Sequence, residues 1–208
     1  MSASGPPRVA MAFRAHSGWA ALVSVSGSIT SPTVIQRRRV SLAGSDICGT
    51  VQPFHAARSM AVNDARAFLG KCGNNAKAMA KSAIVDAIDN LNKQRLEVTV
   101  ACILMRSGKA TQDLTAILRS HALIHTAEGE FFRDALKSAC EACGLPVSRV
   151  AERELTSRSA IAFGLKPKEV ESRVLGLGKN LGPPWRQDEK LCALAGWLTL
   201  ALLSNSQN

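Results

Sequence analysis

Residues 96–105 read LEVTVACILM, an almost unbroken apolar run. A strand covered on one face alternates polar with apolar, whereas one covered on both faces does not. This stretch therefore predicts a central strand between two layers of helix. SGKA at 107–110 predicts the turn that ends it.

Helices are expected on either side of that strand. Upstream, residues 60–72 and 76–94 carry helical spacing, with Ala80, Ile84, Val85, Ile88 and Leu91 on one stripe. Downstream, one long helix is predicted over 112–143, stopped by Gly144 in the C′ position. LPVSRVA at 145–151 reads as a short strand, and 157–164 as a short helix. Lys166-Pro167-Lys168 opens another helix that ends near Gly178, with proline in its first turn. Gly182-Pro183-Pro184 is a rigid break, and a last helix is expected from Asp188 to Leu203, headed by Asp188 as a first-turn anion. Toward the N-terminus, 18–28 and 33–42 form a β-hairpin around Thr30-Ser31-Pro32, with Arg37, Arg38 and Arg39 on its second arm. Residues 43–58 read as a loop and 1–8 as a disordered tail. The order β-β-α-α-β-α-β-α-α implies a single α/β domain over 9–208, a mixed sheet flanked by helices.

Composition limits the function. The chain has 208 residues, 46% hydrophobic and 20% charged, which is globular usage. A net charge of +10 favours an anionic partner such as nucleic acid. Cys102 and Cys192 lie in apolar runs, and the single Cys140-x-x-Cys143 pair sits at a helix end, so reduced structural thiols are expected. The longest apolar run, Leu191 to Leu203, is too short for a bilayer, so no membrane is expected. Arg14 and His16 interrupt any secretory segment, and a cytoplasmic location is expected. The first acidic residue is Asp46, a bias that organellar leaders share, but the strand-like segments favour a tail followed by a basic hairpin.

The long helix carries the chemistry. Leu114, Leu118, His121, His125, Glu128, Phe132 and Ala135 recur at three or four residues, so three ionisable groups interrupt an apolar stripe. Two imidazoles one turn apart can ligate one divalent metal ion, with Glu128 as a third ligand or base. The same spacing fits a buried polar network without metal, or solvated side chains. Gly129 in mid-helix costs about 1 kcal/mol against alanine, which suggests a close approach to the backbone there. Between 149 and 190 nine basic residues stand against six acidic ones, a modest excess typical of a solvated face. Trp185, beside Pro183-Pro184, is expected to pack. The sequence contains no GxxxxGK[ST], GxSxG or GxGxxG.

Three stretches together resemble a family: RAHSGWAALVSV (14–25), EFFRDALKSACEACGLPVSRV (130–150) and GLKPKEVESRVLGLGKNLGPPWRQDEKLCALAGWLTL (164–200). Their order and spacing resemble the RNase H-like superfamily, most closely its RuvC-like branch of Holliday-junction resolvases. The resemblance covers most of 11–203. It implies nucleic acid as partner and a pair of divalent metals held by carboxylates. It also places the first carboxylate near Arg14, Ala15 or His16 and the central-strand glutamate near Ala101 to Ile103, where this chain has no acid. Asp188 matches one acid of the last helix, but the position one turn on is Leu191.

The leading expectation is an RNase H-like, nucleic-acid-associated protein with a degenerate or altered site. Phosphate contact falls to Arg37, Arg39, Arg158 and Lys168, and Asp188 is the remnant acid. A relocated centre would gather His16, His121, His125, Glu128 and Asp188. The alternatives are a metal-dependent hydrolase using His121, His125 and Glu128, with Glu130 as base, and a non-catalytic structural or interaction module. A homodimer is compatible with all three.

Overall fold

The computed structural model describes residues 5–46, 48–106, 111, 113–179 and 181–205. The first half of the expected tail (1–4) and the SGKA turn (107–110) lie outside them, and Arg8 of that tail opens the first strand. Five strands form one sheet in the order β3-β2-β1-β4-β5. β1 (Arg8–His16), β2 (Trp19–Gly27) and β3 (Pro32–Ser41) are an antiparallel meander, while β4 (Glu97–Met105) and β5 (Val147–Ala151) run parallel to β1. The hairpin, LEVTVACILM and LPVSRVA appear as expected, but β1 is a strand that the sequence reading leaves out.

The middle of the sheet is therefore β1, and it is covered on both faces. Val9, Met11 and Phe13 pack with Ile84, Leu91, Phe132 and Leu136 of one helical layer. Ala10 and Ala12 pack with Cys192, Ala195, Trp197 and Leu198 of the other. A strand with period two and two greasy faces shows no alternation, so only its length and ends could mark it.

The first layer is made of α2 (Val62–Asn92) and α4 (His121–Ala142). The break expected at residues 73–75 does not occur. α2 runs through it because Gly73 lies against the ring of Phe131, and Asn75 Oδ1 accepts the Gly44 N–H at 3.3 Å. The long helix expected at 112–143 is instead two. α3 (Leu114–Arg119) is capped by Asp113, and Ser120, in extended backbone, caps α4 by accepting from Leu123 N–H. A short α1 (Pro53–Ala57) emerges from the expected loop and packs on α2 and α4.

The second layer holds α5 (Leu155–Phe163), α6 (Pro167–Leu177) and α7 (Gln187–Asn205). Gly196 lets α7 lie on the sheet, since a Cβ there would come within 3.0 Å of Val25 Cγ2. Trp185 packs as expected, on Gly178, and donates to Val174 O at 3.2 Å. Burial pushes the Cys140 thiol up to about 12, so it stays protonated near neutral pH and acts as a core thiol. Among the described residues no helix is long and apolar enough to cross a membrane.

Candidate functional site

β1, β4 and β5 are parallel, so their C-terminal ends share one edge of the sheet, where ligands of open α/β sheets commonly bind. Arg14 and His16 continue the Ala10–Ala12 row of β1, which faces α7. Glu152 follows β5 directly, and Asp188 lies in the first turn of α7. The four side chains meet. Arg14 forks onto Glu152, with Nε donating to Oε1 and Nη2 to Oε2, both at 2.9 Å. Its Nη1 donates to Asp188 Oδ1, which also lies 3.0 Å from His16 Nε2. His16 stacks on Trp19 with ring centroids 4.2 Å apart and 5° between planes, and the Arg39 guanidinium lies 3.8 Å from the Trp19 ring centroid.

The electrostatics follow from this contact. The bond to Glu152 holds the Arg14 guanidinium above its ordinary value, against the opposing effect of burial, and Asp188 adds to it. Burial pushes the Asp188 carboxyl upward, but the bond from Arg14 and the neighbouring His16 outweigh it, leaving Asp188 below the usual carboxylate range. Both carboxylates are thus paired with a cation belonging to the chain.

His16 also lines a cleft of about 430 Å³, which runs between the end of β1 and α4. Arg106, His125, Glu130 and Arg133 line it as well. Arg133 is buried and takes Glu130 at 2.8 Å. Its guanidinium explains Gly129: a Cβ there would meet Arg133 Nη2 at 2.9 Å, so the close approach to the helix is made by this side chain.

His125 belongs to a second cluster. His55 of α1 faces His121 and His125 of α4, and one ring nitrogen from each lies within 4.8 Å of the others. Glu128 is not among these ligands. It is buried, and its Oε1 lies 2.9 Å from His55 Nδ1 and accepts the His55 backbone N–H at 3.2 Å.

Several expectations are thereby corrected. His16, His121, His125, Glu128 and Asp188 do not form one centre. His16 and Asp188 belong to the Arg14 cluster, while Glu128 is turned onto His55. Glu130 shares the cleft with His16 and His125, but its carboxylate is paired with Arg133. The set His121, His125 and Glu128 fails as a ligand trio because Glu128 sits one turn deeper, where His55 takes its carboxylate. Arg37 is not available for phosphate, since it donates to the carbonyls of Leu181, Gly182, Pro183 and Pro184 and clamps that loop. Arg158 and Lys168 are exposed on α5 and α6 and are not among the residues that line the cleft. Arg14, which enters the sequence reading as a position lacking an acid, is not recognised there as a site residue, and neither are Glu152 and His55. The first is signalled only by a charge in a strand too apolar to recognise, the last by being one of just four histidines.

The strand order and the position of the site can now be set against solved structures. Thermus thermophilus RuvC superimposes with a TM-score of 0.57 and 10% identity, covering 95% of this chain and 96% of that one. The same protein in complex with a Holliday junction substrate gives 0.56 over the same shares of the two chains, again at 10% identity. The fold is RNase H-like and RuvC-like. No family model matches the chain, and no curated protein matches it either.

A RuvC-like fold raises the question of whether this site suits paired divalent metals. Two such ions need several free carboxylate oxygens facing one point. Here both oxygens of Glu152 are held by Arg14, Oδ1 of Asp188 is shared by Arg14 and His16, and a guanidinium stands between the acids. In β4, Ala101, Cys102 and Ile103 are fully buried and offer no carboxylate. These residues do not fit the metal pair.

Proposed function

We propose that this protein is a nucleic-acid-associated member of the RuvC-like fold class that binds its partner without two-metal cleavage. The observation that carries the reading is Arg14 held between Glu152 and Asp188. An internal guanidinium satisfies the acids that would otherwise attract cations, and it cannot be deprotonated near neutral pH. Binding is supported by the charge of +10 and by the arginine- and histidine-lined cleft beside this cluster. It is also supported by the fold shared with a protein solved on a Holliday junction. Arg106, His16 and the exposed Arg39 are the side chains best placed to meet a phosphodiester backbone at that edge.

The test is binding of the purified chain to single-stranded, duplex and four-way-junction DNA over a salt series, with Mg²⁺ and Mn²⁺ cleavage followed in parallel. Affinity is expected to fall with salt with a log–log slope of several units, and strands are expected to stay intact. A slope near zero overturns the binding reading. Cleavage that disappears in Asp188→Asn overturns the non-cutting one.

A further inference from the structure

The histidine corner carries an inference independent of nucleic-acid binding. Three of the four histidines in the chain meet at one point, although they come from two elements far apart in sequence. His121 and His125 are one turn apart on α4, with their Nε2 atoms 3.0 Å from each other. The His55 ring lies edge-on to both, at 5.4 Å from His121 and 4.9 Å from His125 between centroids. Tetrahedral zinc, with Zn–N near 2.0–2.1 Å, places its nitrogens roughly 3.3 Å apart, so His121 and His125 already sit near ligand spacing.

Glu128 supplies a second observation. A buried carboxylate is costly unless it is paired. Among the described residues, Oε1 bonds only to His55, through its Nδ1 and its backbone N–H, and Oε2 has no partner. With Nδ1–H given to the carboxylate, His55 keeps its Nε2 lone pair, the tautomer that a metal ligand needs. A carboxylate behind an imidazole is also the usual support of a histidine–zinc bond, because it orients the ring and increases its basicity.

We infer that His55, His121 and His125 bind one zinc-class divalent cation, with Glu128 as the positioning residue behind His55. Three imidazole nitrogens as ligands, with a carboxylate behind one of them, favour a borderline cation over a hard oxygen-seeking one. Three protein ligands leave a fourth position for water or an anion. The ion ties α1 to α4, and through His125 it adds positive charge to the wall of the cleft.

The experiment uses the full chain, stripped with EDTA, dialysed and titrated with Co²⁺ and then Zn²⁺. Expected are one equivalent of Co²⁺ with intense tetrahedral d–d bands, displaced by one equivalent of Zn²⁺. His55→Ala, His121→Ala and His125→Ala should each abolish the tetrahedral spectrum, while His16→Ala should keep it. Glu128→Gln should keep the stoichiometry and weaken affinity about 10-fold or more. A saturable tetrahedral spectrum of the wild-type protein is required whatever the variants do to folding. Weak octahedral bands, or no saturable binding, overturn the site, as does wild-type binding by all three histidine variants.

Discussion

Two corners of the molecule meet along one cleft and treat their acids differently. At the β1 end, Glu152 and Asp188 share a guanidinium from the chain itself. At the α1–α4 corner, Glu128 is 2% exposed and bonds, among the described residues, only to a histidine. The first corner is closed to outside cations because its counter-charge is covalently attached and cannot exchange. The second has its carboxylate held by His55, whose ring faces those of His121 and His125, so on the zinc reading its counter-charge is an exchangeable ion.

The largest effect expected from this contrast is that of Arg14→Ala. Arg14, Asp188 and Glu152 side chains are 14%, 22% and 19% exposed, so removing the cation strands two partly buried anions. Breaking such a group costs about 3 kcal/mol, read as a lower urea midpoint at pH 7. Arg14→Lys should recover only part of it, because an ammonium cannot fork onto Glu152. Full recovery by lysine would mean that charge alone matters and that the fork is incidental.

Glu128→Ala comes next, at about 2 kcal/mol in metal-free protein, since it strips the acceptor from two His55 N–H groups while leaving them half-buried. The two substitutions should be additive within about 0.5 kcal/mol, because the clusters share no partner. A clear coupling energy between them would break the division into two corners and show that His16 and His125 communicate across the cleft.

How much of this could be read beforehand depends on range. LEVTVACILM, the hairpin and the final helix were legible because their patterns are local and long. β1 was not, since burial on both faces removes alternation, and the charges Arg14 and His16 make a buried strand look like a broken one. The helix break at Ser120 was hidden because the spacing of Leu114, Leu118 and His121 continues across it. Asp188 was legible as a first-turn acid. Its partnership with Arg14 was not, because it depends on strand order and on a contact 174 residues apart in sequence. His55 lay in a segment with no periodicity, so Glu128 could be seen as unusual but not as paired.

A smaller effect separates the corners by pH. The folded-state value of Asp188 lies below its ordinary 3.8, so the unfolded chain binds the proton more readily there. Stability from this group is therefore complete above the ordinary value and is lost as pH falls through the lowered one. Asp188→Asn should remove about 1 kcal/mol at pH 7 and flatten the acid limb of a stability profile below pH ~4. An unchanged acid limb would show that Arg14 is held by Glu152 alone.

The smallest effect in stability is the one that locates the partner. Arg106 is exposed and lines the cleft, so Arg106→Ala should change stability by less than about 0.5 kcal/mol. If phosphates lie along the cleft, the same substitution reduces the salt slope of DNA binding by about 1 and weakens all sequences alike. The double variant Arg158→Ala/Lys168→Ala, on the exposed faces of α5 and α6, should leave the slope unchanged. The opposite pattern would move nucleic acid to the α5–α6 face, away from both clusters. The neutralised acids beside Arg14 would then be an internal brace rather than the floor of a binding site.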